Sequence, residues 1–292
     1  MTTEAPPVEG VPALQLDRVS AGYGPYRALF DVTFSVPSAG ITALIGSNGA
    51  GKSTVARVST GLLTATGGSV RLDGTDVTGM ATYRIARMGC AHVPEGRGIF
   101  ADLTVEENLR LLFRQKLGRS QVSGALERAY AAFPILANRC KQHGGTLSGG
   151  EQRILSLAKV LVAPPRLLVA DEISLGLAPV MVDVIYDGLR RINAAGTAVL
   201  VVEQQVDRVL DIASTAVVLE HGSVVYDGPT GGAMTAVEAL LASRDERSSH
   251  GSPASDASTA PDQRGEATGV DVVDGQGTGG GRLRRMMRRG HG

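Results

Sequence analysis

The octapeptide Gly46-Ser47-Asn48-Gly49-Ala50-Gly51-Lys52-Ser53 has the spacing G-x-x-x-x-G-K-[ST]. Glycines at these positions let a chain turn tightly enough for its N–H groups to point inward at phosphate oxygens. Lys52 can reach the β- and γ-phosphates of a nucleotide, and the Ser53 hydroxyl is a natural ligand for Mg²⁺. The motif follows the apolar run Ile41–Ile45 and opens a helical pattern around Thr54–Thr60. That is the strand-to-helix context it requires, because a helix N-terminus adds partial positive charge where the phosphate sits. An ordinary glycine-rich turn does not account for the full pattern with both flanks in place.

A second apolar run, Leu167–Ala170, ends in the carboxylate pair Asp171-Glu172. Asp171 suits Mg²⁺, held through water, and Glu172 suits the orientation or deprotonation of an attacking water. An acidic pair at a strand end is common solvated decoration, but beside a phosphate loop it points to nucleotide hydrolysis. Both motifs fall at strand carboxyl ends, where open α/β sheets bind ligands. Between them, Leu147-Ser148-Gly149-Gly150-Glu151-Gln152 sets a serine and two glycines before a helix, a second phosphate-binding N-terminus. One fold has little room for two such cradles on one triphosphate. Ser148, Gly149, Gly150 and Glu151 make sense as contacts to an ATP held by another subunit.

The elements that must position these residues read as α/β. Short apolar runs at Ala13–Leu16, Ile41–Ile45, Leu167–Ala170, Ala198–Val202 and Ala216–Leu219 alternate with helical patterns, which predicts a mostly parallel sheet covered on both faces. Val105–Lys116, Ser120–Phe133 and Gly150–Val162 read as successive helices, so an all-helical insertion is expected at about 96–160. Glu220-His221-Gly222-Ser223 reads as a hairpin turn. The chain has 292 residues, a net charge of zero and 43 % hydrophobic residues, enough to bury a sizeable core. That neutrality argues against nucleic acid as a partner held by bulk charge. Two cysteines, Cys90 and Cys140, encode no disulfide framework or zinc cluster and are expected as reduced thiols. No signal-peptide pattern and no apolar run near the ~20 residues of a membrane span occur. Residues 1–12 are expected to be flexible. Residues 243–292, rich in Gly and Ser, are expected to form a disordered tail ending in the basic cluster Arg282–Arg289.

With the phosphate loop, the acidic pair and Leu147–Gln152 in this order, the chain resembles the ATP-binding-cassette (ABC) family over about residues 13–242. It is most similar to the ATPase subunits of branched-chain amino-acid importers. Val93-Pro94-Glu95-Gly96-Arg97, Leu103–Leu109, Ser174–Pro179 and Val202-Glu203-Gln204 carry that closer likeness. The resemblance implies a P-loop NTPase core with N-terminal antiparallel strands and the helical insertion. It implies ATP and Mg²⁺, a head-to-tail pair of subunits (two copies, or one with a paralogue), transmembrane permeases, and a solute-binding protein in the same system. It also implies a cytoplasmic subunit, peripheral on the inner face of the membrane. ATP contacts would be Tyr23, stacked on adenine, then Gly46, Ser47, Asn48, Gly49, Ala50, Gly51, Lys52, Ser53 and Thr54, and Glu95. Ser53, Asp171 and Glu95 would serve the metal. Glu172 and Gln204 would be catalytic, Gln204 as γ-phosphate sensor. Ser174–Leu177 would cross the dimer interface, and residues 95–100 would touch the membrane partner.

Three positions depart from the family pattern: Glu95 where Gln is common, Ile173 where Pro is usual, and Gln204 where His is usual. Gln can donate a hydrogen bond but cannot carry charge or shuttle a proton. His92 is expected to be a satisfied structural histidine and Lys159 a solvated helix charge. Urea or amide uptake is the alternative within transport. A soluble ABC ATPase is the alternative outside it, and typically needs a longer insertion or two cassettes.

Overall fold

The chain opens on two long antiparallel strands, β1 (Leu14–Tyr23) and β2 (Tyr26–Val36). Each carries an irregularity where a residue adopts positive φ, Arg18 in β1 and Asp31 in β2. The buried positions shift from Leu14 and Leu16 to Val19 and Ala21, and from Leu29 to Val32 and Phe34. A bulge displaces side-chain parity in this way. There follow β3 (Ile41–Gly46), α1 (Lys52–Ser59), β4 (Gly67–Leu72), β5 (Thr75–Asp76), α2 (Thr82–Arg87) and β6 (Cys90–Val93). Strands β2-β1-β4-β5 form one antiparallel sheet in that order.

Only helices and irregular chain follow until Leu167 among the described residues, apart from one isolated bridge between Thr104 and His143. They are α3 (Val105–Leu117), α4 (Val122–Ala132), α5 (Pro134–Asn138) and α6 (Gly149–Val162). Thr104 caps α3 in a capping box with Glu107, and Pro134 opens α5. The core resumes with β7 (Leu167–Asp171), α7 (Pro179–Ala194), β8 (Ala198–Glu203), α8 (Val206–Leu210), β9 (Thr215–Glu220), β10 (Ser223–Pro229) and α9 (Thr230–Ser249). The turn between β9 and β10 is His221-Gly222, both at positive φ, as a two-residue hairpin demands.

The second sheet runs β10-β9-β3-β8-β7-β6, parallel except for β10. Its central strands are buried on both faces, and alternate residues feed two cores. Leu44, Val169, Leu200, Val202 and Val217 pack with α1 and the antiparallel sheet. Ile45, Ala170, Val201 and Val218 pack with α3, α4, α6 and α7. Period-two alternation thus divides one sheet between two partners. The register pairs Ile45 with Glu203 and Asp171 with Val202, which sets the carboxyl ends of β3, β7 and β8 side by side.

This computed structural model describes residues 10–94 and 98–249, the last ten as backbone alone. Residues 1–9, Glu95 with its two successors, and everything beyond Ser249, including the Arg282–Arg289 cluster, lie outside the described residues. Helix α9 runs seven residues past the tail boundary expected at 243, because composition marks the loss of a core and not the end of a helix.

Candidate nucleotide site

Gly46 ends β3 against the backbone of β9. A Cβ there would stand 2.3 Å from the Leu219 carbonyl oxygen, so only glycine fits. Gly51, at φ 104, occupies the N-cap of α1 and supplies no side-chain cap. The first N–H groups of α1 are left for an anion. Ala50 is buried, its N–H donates to the Ser47 carbonyl, and its own carbonyl accepts from Gly222 N–H. Asn48 and Gly49 form the exposed crest, and Thr54 is buried beneath it. The Lys52 ammonium folds back into the loop, donating to the Gly46 carbonyl at 2.9 Å and the Ser47 carbonyl at 3.1 Å. Burial lowers its pKa, while Glu172, Asp171 and Glu203 nearby act to raise it. An ammonium in a desolvated loop with carbonyls as its partners is primed for phosphate oxygens.

The Ser53 hydroxyl donates to Asp171 Oδ1 at 3.3 Å, which joins the phosphate loop to the end of β7. A hydroxyl and a carboxylate are hard oxygen donors, and among the described residues no cluster of three His, Cys, Asp or Glu could hold a metal alone. Two protein oxygens with room for phosphate and water suit Mg²⁺ better than an all-protein cage would. Glu172 adopts φ 48, a left-handed conformation rare for non-glycine residues, and its N–H donates to the Val202 carbonyl at 2.9 Å. Its carboxylate is met by Gln204, whose Nε2 donates to Oε1 at 2.8 Å. The expected γ-phosphate sensor therefore gives a side-chain donor to the expected base. Lys52, Ser53, Asp171, Glu172 and Gln204 come together as the sequence suggests; Glu95 lies outside the described residues.

Tyr23 ends β1 partly exposed, and its hydroxyl accepts from Arg57 Nη1 at 2.8 Å, with the guanidinium 5.8 Å from the ring centroid. Arg57, on the first helix, is a support for this ring that sequence reading missed. Ser148 and Gly149 are exposed at the N-terminus of α6, whereas Gly150 is buried against Met181. Glu151, expected as a contact to a second ATP, is engaged within its own subunit. Its carboxylate accepts from Ser148 N–H at 2.8 Å and from Arg139 at 3.2 Å, completing a capping box within its own helix. No hydrogen bond among the described residues joins this segment to the phosphate loop.

Two further expectations change. Lys159 is not a solvated charge: it is buried, donates to the Gly98 carbonyl and Asn108 Oδ1, and its pKa falls to about 8 through desolvation. It lines a cavity of about 580 Å³ with His92. His92 is not satisfied among the described residues, because its buried Nε2 has no partner there, and burial with Arg57 nearby lowers its pKa to about 4. In the sequence Glu203 is an acid ending an apolar run, within the stretch Val202-Glu203-Gln204 that carries the family likeness, and neither signal gives its side chain a role.

The model of the ABC transporter family matches residues 29–174. The high-affinity branched-chain amino acid transport ATP-binding protein BraG of Pseudomonas aeruginosa is 40 % identical over 214 residues, 73 % of this chain and 91 % of that one. The chain belongs to the ABC transporter ATP-binding family. The lipopolysaccharide export ATP-binding protein LptB of Haemophilus influenzae is 30 % identical over 217 residues, 74 % of this chain and 90 % of that one. A solved ATP-binding subunit of an ABC transporter superposes with a TM-score of 0.67 at 27 % identity, covering 74 % of this chain and 90 % of that one. The ATP-binding cassettes of this family are ATPases, and this chain is the ABC ATPase subunit of a transporter. No helix among the described residues is long and apolar enough to cross a membrane. Ile173, where the family usually has proline, is fully buried and follows the acidic pair into the core.

Proposed function

We propose that this protein is the Mg²⁺-dependent ATPase subunit of an importer for branched-chain amino acids. The observation that carries the ATPase reading is the meeting of Lys52, Ser53, Asp171, Glu172 and Gln204 at three adjoining strand ends. Similarity to BraG across nine-tenths of that protein supports the solute class.

Tyr23 stacks on adenine, the N–H groups of the phosphate loop cradle the phosphates, and Lys52 turns its ammonium from the loop carbonyls to the β/γ oxygens. Ser53 and Asp171, joined in this proposal by Glu95, would hold Mg²⁺, which would neutralise phosphate charge. Glu172 Oε1 is engaged by Gln204, so Oε2 accepts the hydrogen bond of the attacking water and takes its proton as the water oxygen bonds to the γ-phosphorus and the bond to the bridging oxygen breaks, releasing ADP. Ser148 and Gly149 contact the ATP of a second subunit, either another copy or a paralogue. Permeases and a solute-binding protein complete the system, with this subunit peripheral on the cytoplasmic face.

The similarity to LptB supports a second reading, export, so direction must be measured. In vesicles holding this chain and its permeases, leucine-loaded binding protein should stimulate ATPase and drive leucine inward. Glu172→Gln should keep ATP binding and nearly abolish turnover. Wild-type turnover in that variant would overturn the catalytic assignment; efflux, or indifference to leucine, would overturn the solute and direction.

A further inference from the structure

Strand β8 is an unbroken apolar run, Ala198–Val202, that closes on Glu203. The Glu203 side chain is 1 % exposed, among the most buried charges of the described residues. Taking a carboxylate out of water is costly unless hydrogen-bond donors replace the water. Here the donors are main-chain: Ser174 N–H reaches Oε1 at 2.9 Å, and Gln204 N–H reaches Oε2 at 3.4 Å. The carboxylate thus spans two segments, the chain leaving Glu172 and the start of the loop that carries Gln204. A second link lies one step back, where Glu172 N–H donates to the Val202 carbonyl. The exit from β7 is therefore tied to the end of β8 twice, once through backbone and once through Glu203. Between these ties sits Glu172 with its left-handed backbone, and its carboxylate meets the side chain of Gln204. An apolar residue at 203 would fill the space without desolvation cost, but it would leave both N–H groups unpaired and the loop after Glu172 held by one tie.

We propose that Glu203 is a positioning residue for hydrolysis: its buried carboxylate bridges Ser174 N–H and Gln204 N–H, and so holds Glu172 and Gln204 in register. This rests on the proposed roles of Glu172 and Gln204. Glu203 makes its hydrogen bonds to Ser174 and Gln204 and not to Lys52 or the phosphate loop, so the effect belongs in kcat and not in ATP binding.

The test compares Glu203→Met, which keeps length and removes both acceptors, with Glu203→Gln, whose amide oxygen still accepts from Ser174 N–H. Steady-state ATPase of the full chain gives kcat and KM, and thermal unfolding monitors folding. Glu203→Met should lose about tenfold to a hundredfold in kcat, as expected for hydrogen bonds to a charged group. Its KM for ATP should stay within about threefold, and Glu203→Gln should recover most of the loss. Equal kcat in Glu203→Met and wild type overturns the proposal. So does a KM that rises as much as kcat falls, or a Glu203→Gln variant no faster than Glu203→Met. If Glu203→Met does not fold, Glu203→Asp replaces it. That variant keeps the charge but withdraws the acceptor, and it must be slower than Glu203→Gln. Glu172→Gln serves as the control: if it turns over normally, the catalytic reading has failed, whereas if it is inactive while Glu203→Met runs at full speed, only this inference has failed.

Discussion

Replacing Gln204 by alanine removes the hydrogen bond from Nε2 to Glu172 Oε1, which spans 2.8 Å and ends on a carboxylate. Bonds to charged groups contribute about 1.5–3 kcal/mol, and each ~1.4 kcal/mol is tenfold in rate. If the bond persists into the transition state, Gln204→Ala should slow turnover by roughly tenfold to 150-fold. The loss should fall on kcat. Lys52 and the N–H groups of the phosphate loop hold the nucleotide, and Gln204 makes no bond to them. Gln204→Glu should be at least as slow, because it replaces a donor with a second carboxylate facing Glu172, and like charges at hydrogen-bond distance disfavour joint ionisation. Gln204→His, which can still donate, should retain more activity than either. Steady-state ATPase at saturating Mg²⁺, with KM measured separately, distinguishes these outcomes. Turnover of Gln204→Ala within about twofold of wild type would refute the reasoning, since the range above would then be missed entirely. A loss confined to KM would mean that Gln204 serves the nucleotide and not the base.

Lys52→Ala should weaken ATP binding by about tenfold or more in titration calorimetry, because a charge-assisted phosphate contact is removed from a desolvated loop. Chelating divalent metal should abolish hydrolysis while leaving measurable nucleotide binding, since Ser53 and Asp171 offer the metal two oxygens and the phosphate loop contacts phosphate without it; metal-independent turnover would contradict the assignment. The neutral form of His92 is favoured in the fold, with its pKa lowered from 6.5 to about 4, so the unfolded chain binds the extra proton first as pH falls. Stability should therefore drop between pH 6.5 and about 4, and His92→Gln should flatten that part of the profile in denaturant titrations. Cys90 is buried with its thiol pushed up to about 12, so an alkylating reagent should modify Cys140 in the folded protein and reach Cys90 only after unfolding.

The parallel core was legible because its strands are buried on both faces, and such strands spell themselves as apolar runs: Ile41–Ile45, Leu167–Ala170 and Ala198–Val202. The antiparallel sheet was mostly hidden. Its strands obey period two only in pieces, because the bulges at Arg18 and Asp31 move the buried set from one parity to the other. A reader scanning for alternation finds Ala13–Leu16 and then loses the pattern, although β1 continues to Tyr23. β2, with Asp31 in the middle of Tyr26–Val36, gives no continuous signal at all. The helices between β6 and β7 were easier, since α3, α4 and α6 each bury apolar residues at helical spacing.

At the site, the residues announced by type and spacing, Lys52, Ser53, Asp171 and Glu172, are those that the fold brings together with Gln204 at adjoining strand ends. The residues misread or passed over were those whose meaning depends on what solvates them. Glu151 stands in a phosphate-binding motif, and the capping bonds its carboxylate takes from Ser148 N–H and Arg139 are not announced by that motif. Lys159 sits on a helix like any surface lysine, yet it is buried, and its ammonium donates to the oxygens of Gly98 and Asn108. Asp171 and Glu203 both end apolar strands, and a sequence offers no means to tell them apart. The register does: Asp171 emerges beside Ser53, whose hydroxyl meets it, whereas Glu203 emerges beneath the loop after Glu172, where the backbone N–H groups of Ser174 and Gln204 meet it. An acidic side chain at a strand end is thus suited to a cation or to a structural clasp according to whether its neighbours offer oxygens or N–H groups. That choice is made by long-range packing, which neither composition nor local spacing records.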